Sequence, residues 1–137
     1  MTQQGKPAGS VVESSPRNSE QQQLDFELDF FRGVLHRYPD YVEVLQILGS
    51  LLTLTGRLSE GLQVEKRLCQ LRPGDPLAHY NLACSYAKLK RADLSIRSLR
   101  KAVELGYRDF SYIRQDHDLD PIRHDPRFGQ LLREYDK

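Results

Sequence analysis

The chain has 137 residues, 39% hydrophobic and 28% charged, which leaves room for one globular domain of modest apolar content. A formal charge of +1 and a sequence pI near 7.8 give no field that attracts polyanions, so nucleic acid is not an expected partner. No apolar run approaches the ~18 residues of a membrane helix, which argues against a membrane-embedded role.

Residues 1–19 are rich in Gln, Ser, Gly and Pro with almost nothing to bury, and they read as a disordered tail. The N-terminal stretch holds one Lys and no apolar segment longer than Val11-Val12, so neither a secretory signal nor a transmembrane start is expected. Cys69 and Cys84 lack CxxC spacing, so no disulfide framework or zinc site is implied and the cytoplasm is the expected compartment. Ser19 and Gln22 stand at capping-box spacing ahead of Leu24, Leu28, Phe31, Val34 and Leu35, which recur at helical intervals. Pro39 closes that helix.

Beyond it the chain repeats. A slide of 34 residues places Pro39 on Pro73, Leu48-Gly49 on Leu82-Ala83, Leu52 on Tyr86, Leu62 on Ile96 and Leu71 on Leu105. One step backward, Leu58, Leu62 and Leu68 overlie Leu24, Leu28 and Val34. A period of that length with helical spacing inside it is the mark of stacked helix pairs. From about residue 24 to 110 the chain resembles the tetratricopeptide-repeat family.

The resemblance implies an all-α fold, a right-handed superhelical stack of antiparallel helix pairs. It divides residues 20–137 into an N-terminal capping helix or half-repeat (20–39), two repeats (40–73 and 74–107) and a degenerate C-terminal cap (108–137). Gly49, Ala83, Gly61, Ser95 and Ala102 are small where paired helices cross. Asp75-Pro76 supplies a cap and a first helical position. The chain departs from the family at Leu45 and His79, where Trp is favoured, and at Lys90, where the first repeat has the turn glycine Gly56. Tyr107 replaces the closing proline, and Glu65 occupies a site that is usually large and apolar.

The segment 116–125 holds four Asp and two His, a density that suggests an active site. An EF-hand reading fails because Pro121 stands in place of the glycine and Arg127 in place of the twelfth-position glutamate. A metal-dependent enzyme using Asp116, His117, Asp118 and His124 is a remote alternative without helical ligand spacing to support it. Asp120-Pro121 and Asp125-Pro126 read more simply as starts of short helices, with Leu119, Ile122, Phe128, Leu131 and Leu132 folding onto the last repeat. The family resemblance points the same way, since such arrays end in an L-D-P-x-R-x-D-P-R-F-x-x-L cap, present from Leu119 to Leu131. No motif sets a nucleophile beside its base, so no enzyme, cofactor or metal is expected.

The expected function is therefore a protein-interaction module, an adaptor or scaffold that binds a partner peptide or protein segment. First helices of stacked pairs line the concave face. With the core positions assigned, Gln46, Ile47, Ser50, Thr53 and Leu54 remain for the groove on one first helix, and Leu77, Tyr80, Asn81, Cys84, Ala87 and Lys88 on the next. Replacing Tyr80 or Asn81 by Ala should then weaken binding with little loss of helicity. The Lys/Asn/Arg clamp by which family members grip heat-shock-chaperone tails is represented by Asn81 alone. Phe26 and Phe30 form a second apolar stripe, and the helix from 41 to 54 is apolar on most sides. Either the N-terminal helix covers the first repeat more fully than an ordinary cap, or two copies meet there. A homodimeric structural piece or a secretion-chaperone-like protein is accordingly the alternative.

Overall fold

The computed structural model describes residues 16–137, and most of the expected tail lies outside them. Among the described residues there is no strand. The helices are α1 (Pro16–Arg37), α2 (Val42–Leu54), α3 (Leu58–Leu71), α4 (Pro76–Lys88), α5 (Ala92–Glu104), α6 (Phe110–Gln115), a 3-10 helix η1 (His117–Ile122), and α7 (Pro126–Tyr135). Helix α1 thus begins before Ser19, which lies inside it and is not its cap. A Ser three residues before a Gln marks a start only where the preceding chain leaves the helix, and here residues 16–19 continue it.

The two repeats become the pairs α2/α3 and α4/α5, packed in series, with α1 against α2 at one end and η1 and α7 against the second pair at the other. The small residues sit at the crossings. A Cβ on Gly61 would lie 3.6 Å from that of Leu52, and one on Gly49 would reach 2.8 Å from Glu65 Oε2. In the second pair the fully buried Ser95 donates its hydroxyl to the Ala83 carbonyl at 2.7 Å, so the polar atom that close approach buries is satisfied.

Three helices end alike. Gly56 donates its N–H to Thr53 O and Arg57 to Leu52 O; Lys90 and Arg91 repeat this with Ala87 and Tyr86, and Gly106 and Tyr107 with Val103 and Ala102. That is the Schellman pattern, which needs a left-handed residue at its bend. Gly56 (φ +75°), Lys90 (φ +61°) and Gly106 (φ +118°) occupy it. Lys90 is the position at which the repeat departs from glycine.

At the N-terminal end Leu28 of α1 is fully buried against Leu45, Leu48, Leu52, Val64 and Leu68. Arg32 clamps Glu60 of α3 with two hydrogen bonds, Nε to Oε2 at 2.8 Å and Nη2 to Oε1 at 2.7 Å. Helix α1 therefore caps the first pair, yet Phe26 and Phe30 remain 67% and 56% exposed. Helix α2 is not covered all round either, since Ile47 and Leu54 face outward.

The larger core joins α4 and α5 to the C-terminal segments. Leu99, Val103, Ile113, Leu119, Ile122, Phe128 and Leu131 form one cluster with Ala83 and Ala87. Asp109, ahead of the Asp-rich stretch, accepts from Tyr112 N, and within the stretch Asp116 accepts from Asp118 N and Asp125 from Arg127 N, each as a helix cap. Asp120 is not a cap. Pro121 lies within η1, whose cap is Asp116, and Asp120 instead accepts from Arg123 Nε and contacts His117 Nδ1, each at 3.1 Å.

Lys90→Gly should relieve the left-handed strain and raise Tm by roughly 2–5 °C, against a partial offset from the freer unfolded chain. Thermal unfolding of the two proteins checks this; an unchanged or lower Tm would mean the turn carries no strain.

Candidate functional site

Between the first helices α2 and α4, and walled by the C-terminal cap, lies a cavity of about 330 Å³. Helix α2 contributes Gly49, Ser50 and Thr53; α4 contributes Leu77, Tyr80, Asn81, Cys84, Ser85 and Lys88. Glu65 reaches in from α3. The far wall is Tyr107 and Tyr112 with Asp116 and Asp118.

Seven groove residues expected from the sequence line this space: Ser50, Thr53, Leu77, Tyr80, Asn81, Cys84 and Lys88. Gln46 lies along a small adjoining cleft with Leu77 and Asn81. Ile47 and Leu54 are exposed but line neither hollow, and Leu54, at 72%, is open to solvent. Ala87 is fully buried in the core and offers no groove surface.

Tyr80 and Cys84 are wall, not open surface. Tyr80 is 3% exposed, its ring stacked parallel on Tyr107 at 4.3 Å between centroids. Its hydroxyl donates to Asp116 Oδ2 at 2.5 Å, and the Cys84 thiol lies 3.8 Å from the same oxygen. The other Asp116 oxygen accepts from Asp118 N, so this one carboxyl ties α4 to the cap. Burial, and then the neighbouring Asp116, push the Tyr80 hydroxyl and the Cys84 thiol well above their ordinary values. Neither is set up as a nucleophile. Periodicity placed both on the right helix face but gave no sign that the Asp-rich segment would close over them.

The cluster 116–124 does not converge as a metal site. His117 and His124 are exposed, and only Asp116 and Asp118 approach each other, beside Cys84. The cation next to that group is the chain's own Lys88, whose Nζ lies 3.2 Å from Asp118 Oδ1.

The residue that site reasoning passed over is Glu65. It is 7% exposed, and its Oε1 is buried without a hydrogen-bond partner among the described residues. Gly49 makes the space, since any side chain there would collide with the carboxyl. Burial raises its pKa to about 7, opposed by the charge of Lys88. The signal was present in the sequence as a charged residue at a position that the resemblance to the repeat family would fill with a large apolar one.

No family model matches the chain. Over 61 residues, 44% of its length, it is 39% identical to a chloroplastic protein of Arabidopsis thaliana, and that match spans only 18% of the relative. The solved structure of the MamA RS-1 ArsTM double mutant superposes with a TM-score of 0.59 at 20% identity, over 87% of this chain and 71% of that one. At such identity the likeness is one of fold. The chain has an all-α, tetratricopeptide-like architecture. No helix among the described residues is long and apolar enough to cross a membrane.

Glu65→Gln should change stability in a pH-dependent way. At pH 4 the carboxyl is protonated in both folded and unfolded chains and costs nothing. Above 4.5 the unfolded chain ionises first, and the penalty grows until the folded group titrates near 7. The variant should gain on wild type between pH 4 and pH 8, by up to about 3 kcal/mol. Urea unfolding at the two pH values measures it; a gap that does not depend on pH would place the carboxyl in water. Tyr80→Phe should cost about 1 kcal/mol through the lost Asp116 bond, and Tyr80→Ala about 3 kcal/mol or more, so the latter is not a clean probe of binding.

Proposed function

We propose that the chain is a non-catalytic protein-interaction module that receives a segment of a partner in the groove between α2, α4 and the C-terminal cap. The observation that carries this is the groove itself. It opens on the first-helix face of a tetratricopeptide-like stack, and its walls are held before any partner arrives by the Tyr80–Asp116 bond and the Lys88–Asp118 pair. A preformed site leaves the ordering cost mainly on the segment that enters. Exposed Leu77 offers apolar contact, and the exposed amide of Asn81 offers both a donor and an acceptor to a peptide backbone. Catalysis finds no support in the same walls, where the thiol and phenol are raised out of reach and the two histidines of the Asp-rich segment face solvent.

Affinity capture with mass spectrometry tests the reading. Leu77→Asp combined with Asn81→Ala, both on exposed positions of α4, should leave the helical circular-dichroism signal intact and lose the captured partner. Retention of the same partner at wild-type yield would contradict the groove assignment.

A second reading, self-association through α1, rests on Phe26 and Phe30, which stay exposed after α1 has docked on the first pair. On this reading, light scattering should give twice the chain mass for wild type and the single mass for Phe30→Glu; a single mass for both removes it.

A further inference from the structure

We propose that the groove selects a basic side chain, a lysine or arginine of the partner segment, whose head group seats on Glu65 at the groove floor. This deepens the reading that the groove binds a partner segment and rests on it. A glutamate more than nine-tenths buried, with one carboxyl oxygen lacking any donor among the described residues, is costly to keep unless something supplies the missing donor. The repeat could have filled this position with an apolar side chain. Instead the facing residue is Gly49, whose missing Cβ leaves the room that Glu65 Oε2 requires. The pair Gly49 and Glu65 therefore builds a pocket floor with an acceptor in it.

The surroundings fix the sign of the guest. Glu65, Asp116 and Asp118 bring three carboxyl groups to the cavity against the one ammonium of Lys88. That ammonium is engaged by Asp118 at 3.2 Å, while Asp116 already accepts from Tyr80, leaving Glu65 as the carboxyl still short of a donor. An acidic guest is repelled. A neutral donor would satisfy Oε1 but leave the excess of carboxyl groups uncompensated. A long basic side chain does both, laying its methylenes along Leu77 and the half-exposed Tyr112 ring while its head group goes down to the floor.

The test is selection of random peptides displayed on phage against the full chain, followed by affinity measurement on synthetic copies. Enriched peptides should share a Lys or Arg at one fixed position. Its replacement by norleucine, or Glu65→Gln in the protein, should weaken binding by roughly tenfold to a hundredfold, as loss of a charged hydrogen bond does. Lys88→Met removes the competing ammonium and lets the Glu65 pKa rise further, so at about pH 9, where the carboxyl is ionised, it should tighten the same peptides, a direction that damage to the fold would not produce. Peptides that depend on Asn81 but carry no basic residue, or that bind Glu65→Gln as well as wild type, would overturn this inference and leave the groove reading standing. Failure to select any peptide whose binding falls with Leu77→Asp and Asn81→Ala would overturn both.

Discussion

A helix pair has two broad faces, and its own internal packing covers neither end of the stack. Both ends of this stack are closed accordingly. The first pair is closed by α1 through Leu28 and the Arg32–Glu60 clamp, and the second by η1 and α7 through Leu119, Ile122, Phe128 and Leu131. With only two repeats the closing segments supply much of the apolar surface that the stack buries. The C-terminal closure also does more than shield the core. It carries Asp116 and Asp118 to the edge of the first-helix face, where they become the far wall of the groove.

The groove is thus a product of both the repeat and its end. The repeat contributes α2 and α4 as walls, with Glu65 of α3 between them; the cap contributes the aromatic and acidic side that holds Tyr80 and Lys88 in place. This gives the Asp-rich segment a structural explanation. Asp116 and Asp125 start helices, Asp116 and Asp118 tie the cap to α4, Asp120 holds Arg123, and the histidines stay in solvent. Two of the four aspartates in this run are N-caps of short helices that follow closely on one another, and the other two are held by Lys88 and Arg123.

Much of the fold was legible in the sequence. The 34-residue slide marked out the two pairs, the crossing glycines and the turn where Lys90 aligns with Gly56; the positive φ that both take there came from the structure. What failed were inferences from single local signals. Ser19 and Gln22 have capping spacing, but the helix had already begun at Pro16. Asp120 precedes Pro121, but the preceding turn at Asp116 had already started the 3-10 helix. The candidate site was half legible. Helical periodicity identifies the face that Tyr80 and Cys84 occupy; it does not say that a non-repeating segment will fold over that face. Glu65 was visible as a departure from the repeat, but its burial, with Oε1 lacking a hydrogen-bond partner among the described residues, was not.

The central claim is that the C-terminal cap and the second helix pair are one cooperative body, so that the groove wall exists before any partner binds. Native-state hydrogen exchange on the intact chain tests it most directly. The account predicts that the amides of α7 and of the buried turns of α4 and α5 exchange through one common opening, with the same free energy and the same denaturant dependence. Exchange of α7 and η1 at far lower free energy, with α4 and α5 still protected, would contradict it.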